Sequence, residues 1–327
     1  MTYGAIRGAI NALDDPYTGF IDPDAAEYRR EVDDGAYEGL GAFVSMENDR
    51  LVIVQPMKGQ PAEKAGLRPG DIVLEADGVP IENMSIYEAI SLLLGPAGTQ
   101  VRLTILREGE EPFEVEITRA EIEVPQVESE MRDDGLAYVS LANFNHGASE
   151  GLADTLDDLL DENPEGLILD LRGNPGGFLH EAVLTAGLFL PEEEVVLVER
   201  TKDEEEFLTP KGFGSGKPIA PDIPMVVLVD GGSASASEIV AGALQDRERA
   251  VLIGEKTFGK GSVQWAHELS NGAELRVTIA RWFTPNDRAI HGEGLDPDIE
   301  VELTPQDVDA ELDPQLDRAV EYLLVGE

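Results

Sequence analysis

Three serines alternate with alanines in the stretch GGSASAS, at Ser233, Ser235 and Ser237, and a lysine follows in TFGKGSVQ, at Lys260. A hydroxyl attacks a carbonyl carbon when a base takes its proton and fixed N–H donors stabilise the oxygen that turns negative. The bases on offer are few: His146, His180, His267, His291 and the lysine. His180 lies three residues past Gly177 on an expected helix. A lysine serves as base only if burial among apolar groups brings its pKa down from ~10.4 towards neutrality. Phe258 and Val263 flank Lys260 as apolar neighbours, and the Gln264 amide can orient an amine without adding charge. Residue types alone leave both bases open. With no cysteine in the chain, thiol catalysis and thiolate metal sites are excluded.

The serines stand where the apolar run VVLVD meets the helical pattern SEIVAGALQD. A second stretch, LILDLRGNPGGFLHEAV, repeats the plan of strand, glycine turn and helix. In an open α/β sheet such turns lie outside the carboxyl ends of the strands, where sites form. The helix starts offer unpaired N–H groups and partial positive charge. A phosphate would suit the same geometry, but neither turn matches the glycine patterns of the nucleotide-binding loops. Strand and helix alternate from residue 120 to 327, which argues an α/β core with parallel strands. Within it, SEGLADTLDDLLDEN reads as an amphipathic helix capped by Ser149, and the acidic stretch at 202–218 as a surface loop. Residues 36–119 read instead as short strands with one helix, SIYEAISLLLG, and residues 1–35 as a helical segment packing on the core.

The 327 residues carry 66 acidic and 24 basic side chains, a formal net charge of −42. That field repels nucleic acids and anionic membrane surfaces. No apolar run approaches the ~20 residues that span a bilayer. The N-terminus lacks a basic segment followed by an apolar one, so no signal peptide is expected; either the protein is cytoplasmic or a targeting segment is missing.

GGSASASEIVAGALQD followed by TFGKGSVQ resembles the active-site block of the carboxyl-terminal processing, or tail-specific, serine peptidases. LDDPYTGFI, GLGAFV with QPMKGQPAEKAGLRPGDIVLEADGVPI, LDLRGNPGGFLHEAV and HGEGLDPDIEV are similar to further segments of that family, across nearly the whole chain. The resemblance implies a crotonase-like α/β core with an inserted α+β PDZ domain and no cofactor or metal. It places the nucleophile at Ser235, the general base at Lys260, and the residue that holds the lysine at Gln264. The oxyanion donors fall on the N–H groups of Gly177 and Ala236. Ser233, Ser237 and Glu238 read as turn and helix-start residues, and Asp246 as structural. The PDZ domain implies capture of a free, apolar C-terminus by the loop Gly39, Leu40, Gly41 and Ala42, with Ile90 and Leu93 walling a side-chain pocket. Many relatives carry an arginine where this chain has Leu94, which puts any coupling through that arginine in doubt. The family is usually exported, which points to the periplasm or cell envelope. Expected partners are protein or peptide substrates and a regulatory or adaptor protein. The competing readings are a non-catalytic PDZ adaptor on an inactive hydrolase core, and a crotonase-type acyl-thioester enzyme.

Overall fold

The structure is a computed structural model that describes the chain except residues 1, 14, 16, 24–25, 27–29, 31–35, 48–49, 58, 83, 85, 108, 124–125, 215–217, 311 and 327. The chain forms two compact units, one of residues 1–124 with 266–276 and the other of 125–265 with 277–327.

The first unit opens with the helix Thr2–Asn11. Its main sheet runs in the order β3 (Ala42–Glu47), β4 (Arg50–Pro56), β5 (Ile72–Ala76), β7 (Gln100–Leu106), β8 (Phe113–Thr118), with β6 (Val79–Pro80) paired to β5. Alternation along these strands sends Leu51, Ile53, Val73, Leu103, Ile105 and Ile117 inward. There they pack with Ala89 and Leu93 of the helix Ile86–Leu93. That helix ends on a buried cation: Arg119 donates from Nε to the Leu93 carbonyl at 2.9 Å and from Nη2 to the Leu92 carbonyl at 3.0 Å. A guanidinium thus meets carbonyls the helix leaves unpaired.

In the second unit the sheet order is β10 (Val127–Met131), β11 (Leu136–Leu141), β12 (Gly166–Asp170), β15 (Met225–Val229), β16 (Val251–Gly254), β19 (Ile299–Glu300). The first pair is antiparallel and the rest are parallel, as the alternating pattern requires. Every residue of β12 and β15 is buried, because helices cover both faces of such a sheet. The helix Ala148–Asp161 buries Leu152, Leu156 and Leu159 on one stripe. It starts one residue before the expected cap. Gly147 takes the N-cap, and the Ser149 hydroxyl donates to Glu181 instead. The acidic stretch expected as a loop contains β14 (Glu205–Leu208), paired antiparallel with β13 (Leu197–Arg200), and a short 3-10 turn, Pro210–Phe213. Backbone pairing to an existing strand outweighs its charged composition. Residues 215–217 of that expected loop lie outside the described residues.

Candidate active site

β15 delivers the chain to residue 230, and the helix Ala236–Asp246 begins six residues later. Asp230 holds the turn between them. Its Oδ1 accepts from the N–H groups of Gly173, Gly232 and Ser233 at 2.8, 2.9 and 3.0 Å. The two outer serines are ties to the neighbouring glycine turn. Ser233 Oγ donates to the Leu171 carbonyl and Ser237 Oγ to the Asn174 carbonyl, each at 2.8 Å. Ser235 stands between them at the N-cap, with φ 58° and ψ −111°. A residue with a Cβ adopts that conformation only under constraint, as in the strained strand-to-helix turns that present nucleophilic serines.

The glycine turn presses directly on this serine. A Cβ at Gly176, whose φ is +98°, would stand 2.8 Å from Ser235 Cβ and 2.8 Å from the Ala236 nitrogen. Only glycine fits there. Gly177 in turn lies against Phe144: Phe144 N–H donates to the Gly176 carbonyl and Phe178 N–H to the Phe144 carbonyl. Among the described residues neither the Gly177 nor the Ala236 N–H meets an acceptor. Asn174 was not singled out by the sequence. It is fully buried, donates to the Leu141 carbonyl and accepts from Gly176 N–H, and so sets the turn against the end of β11.

Glu238 carries more than a helix start. Completely buried, it accepts from Ser235 N–H at 2.8 Å and Lys260 N–H at 2.9 Å on one oxygen. Its other oxygen accepts from Gly259 N–H at 2.7 Å and Thr257 Oγ1 at 2.6 Å. One carboxylate thereby brings the serine turn and the lysine loop together. The loop is gripped from its far side as well, since Gly292 N–H donates to the Gly259 carbonyl and Leu295 N–H to Thr257 Oγ1. The described hydrogen bonds of Gln264 run from Nε2 to the hydroxyl and carbonyl of Ser262. Val263 packs on the core, but Phe258 is 60% exposed and forms no buried wall. Asp246, at the far end of the helix, accepts from Asn286 N–H and pairs with Arg288.

His180, the rival base, has its Nε2 3.5 Å from Glu181, and its ring stands near those of Phe178 and His146. Burial would raise the Glu181 carboxyl, but hydrogen bonds from Ser149 Oγ, Ser149 N–H and Gly147 N–H hold it below the ordinary carboxylate range. His291 Nδ1 lies 2.9 Å from Arg281, and His267 is exposed.

In the first unit the loop Gly39, Leu40, Gly41, Ala42 joins β2 (Ala36–Gly39) to β3. Leu40 is buried, its carbonyl accepting from Ala62 N–H. A side chain at Gly39 would meet the Tyr37 ring at 2.9 Å and Leu94 at 3.0 Å. Burial pushes the Tyr37 hydroxyl up to about 12, against N–H donation to it from Ala42 and Gly41. The tyrosine hydroxyl therefore already engages two N–H groups of the expected carboxylate loop, which the sequence did not disclose. Leu93 belongs to the core, and Ile90 is half-buried.

Comparison with known proteins places these features in a family. Residues 135–301 match peptidase family S41, and residues 52–107 match a PDZ domain. The chain is 38% identical over 301 residues to the carboxy-terminal processing protease CtpA of Bacillus subtilis, covering 92% of this chain and 64% of that protein. It is 38% identical over 335 residues to the carboxyl-terminal-processing protease of Synechocystis sp., covering 99% and 77%. It thus spans just under two thirds of the Bacillus relative. Among solved structures, the photosystem II D1 C-terminal processing protease superposes with a TM-score of 0.72 at 31% identity, over 94% of this chain and 84% of that one. Serine turn, glycine turn and lysine loop all fall inside the matched core, and the chain belongs to peptidase family S41, with a PDZ domain in its first unit.

Proposed function

We propose that this chain is a serine endopeptidase that cuts proteins selected by their free, apolar C-terminal tails. The observation that carries the reading is the Glu238 carboxylate, which receives the N–H groups of both Ser235 and Lys260. In the proposed reaction the neutral Lys260 amine takes the proton of Ser235 Oγ as that oxygen attacks the scissile carbonyl. The carbonyl oxygen, now negative, lies between the N–H groups of Gly177 and Ala236. Losing one such donor costs on the order of 10²–10³ in turnover. Lys260 then protonates the leaving amine, and the acyl-enzyme is hydrolysed by water activated by the same base. Gln264 acts through Ser262, steadying the strand that leaves the lysine loop. Because the amine works uncharged, turnover rises with pH.

Tail capture falls to the Gly39–Ala42 loop, whose N–H groups suit a carboxylate, with Ile90 at the pocket edge and Leu93 supporting it from the core. The Tyr37 hydroxyl must yield those N–H groups. The family likeness also supports a place of action outside the cytoplasm; digestion by added protease in cells stripped to an intact cytoplasmic membrane would check it, and survival of the protein there would contradict it. The adaptor reading predicts tail binding without cleavage. A reporter protein ending in a free apolar tail distinguishes the two. Peptidase action gives cleavage that slows when the tail is amidated. Binding with no cleavage at any pH supports the adaptor, and equal cleavage of free and amidated tails contradicts the recognition.

A further inference from the structure

Beside the glycine turn, and outside the proposed proton relay, three metal-ligating side chains converge. His146, His180 and Glu181 bring one ligand atom each to within 4.8 Å of one another. Glu181 is buried and pre-oriented. Its Oε2 accepts from Ser149 N–H and Oγ, and its Oε1 accepts only from Gly147 N–H, at 2.9 Å, among the described contacts. That leaves Oε1 a lone pair on the side where His180 Nε2 stands at 3.5 Å. Hydrogen-bonded carboxylates of this kind are what metal sites use to fix a ligand. The imidazoles are also held. His146 stacks on Phe178 with ring centroids 4.2 Å apart, and His180 lies 5.4 Å from the same ring. His146 is exposed, and the His180 side chain is 41% exposed, so solvent reaches the open side.

We propose that His146, His180 and Glu181 form a binding site for a borderline divalent cation of the Zn²⁺ class. Two imidazoles and one carboxylate, with a fourth position open to water, suit zinc, cobalt or nickel. Magnesium and calcium prefer oxygen ligands throughout. Tetrahedral bonds of about 2.0–2.2 Å require ligand atoms about 3.3 Å apart, so a bound cation would draw the two imidazoles inward from their present spread of up to 4.8 Å. A cation bridging residues 146 and 180 would tie together the two segments that pair at Phe144 and Gly177. The site is independent of the peptidase reading.

The test is a Co²⁺ titration of the metal-stripped full chain, followed by visible d–d absorption. Molar KCl with excess Mg²⁺ screens the many surface carboxylates. The chain has no thiolate to confuse the spectrum. We expect one Co²⁺ per chain, displaced by Zn²⁺, and at least tenfold weaker binding in His146→Ala and in His180→Ala. His267→Ala should bind as wild type does. His146→Gln, at an exposed position, serves as a second variant, and thermal unfolding without metal verifies that each variant is folded. Absence of stoichiometric binding by the wild type overturns the proposal, as does unchanged affinity in the folded His146 variants.

Discussion

Ser235 holds a φ of 58° that costs any residue with a Cβ on the order of 1–3 kcal/mol. In the proposed reading, stability and chemistry are therefore opposed at this residue. Ser235→Gly should be more stable than Ser235→Ala by about 1 kcal/mol, even after the extra backbone entropy of glycine, with neither variant active. Thermal unfolding of the pair measures the difference, and equal stability would show that the turn is unstrained. Glu238 is a second residue whose atoms can be accounted for singly, since four donors converge on two oxygens. Glu238→Gln keeps the shape but turns an NH₂ group towards N–H donors. We expect a loss of at least about 2 kcal/mol in stability and of tenfold or more in turnover. Unchanged turnover in a folded variant would mean that the carboxylate does not align serine and lysine. At the tail loop, Tyr37→Phe removes the hydroxyl from the Gly41 and Ala42 N–H groups. Calorimetry should find tighter binding of an apolar tail peptide, whereas weaker binding would make the hydroxyl part of the peptide site.

At the scale of elements, the site is two strand–turn–helix units locked turn to turn. Gly176→Ala puts a methyl group against Ser235 and the Ala236 nitrogen in a left-handed backbone, so it should lose both turnover and thermal stability. A variant of full activity would show that the turns can part without consequence. This arrangement was legible in the sequence where pattern and chemistry agree: LILDLRGNPGG and VVLVDGGSAS each show a strand, a glycine turn and a helix start. What stayed hidden is contact at long sequence range. Glu238 reads locally as an ordinary helix-start acid, because three of its four donors lie 19 to 22 residues further on, in a loop that only the fold brings back. Asn174 is one polar letter in a glycine turn until Leu141 arrives from another strand, 33 residues earlier. Arg119 closes the strand β8 region in sequence, yet its guanidinium reaches back 26 and 27 residues to cap a helix. The strand Glu205–Leu208 was missed because its partner, not its own acidic composition, makes it a strand.

Over the whole molecule the dominant quantity is the net charge of −42. Self-repulsion of that size opposes the compact state, and salt screens it over a distance of about 10 Å at 0.1 M. The melting temperature should rise between about 0.1 M and 2 M KCl, and a flat or falling curve would contradict the argument. pH acts with two signs. Lowering it from neutrality relieves repulsion, so at low salt stability first improves. Asp134, held by Arg132, and Asp313, whose bonds to Arg172 and to backbone N–H groups outweigh its burial, titrate below the ordinary carboxylate range when folded. Their contribution is present above that range and is lost as pH falls through their folded values, from roughly pH 5 downward. The stability curve should therefore peak on the acidic side of neutrality at low salt, and its alkaline limb should flatten in high salt. The proposed activity is tested most directly by cleavage of a reporter with a free apolar tail by the wild type, Ser235→Ala and Lys260→Ala. The account predicts cutting by the wild type, faster as pH rises, and none by either folded variant. Cutting by Ser235→Ala or Lys260→Ala at the wild-type rate would contradict it.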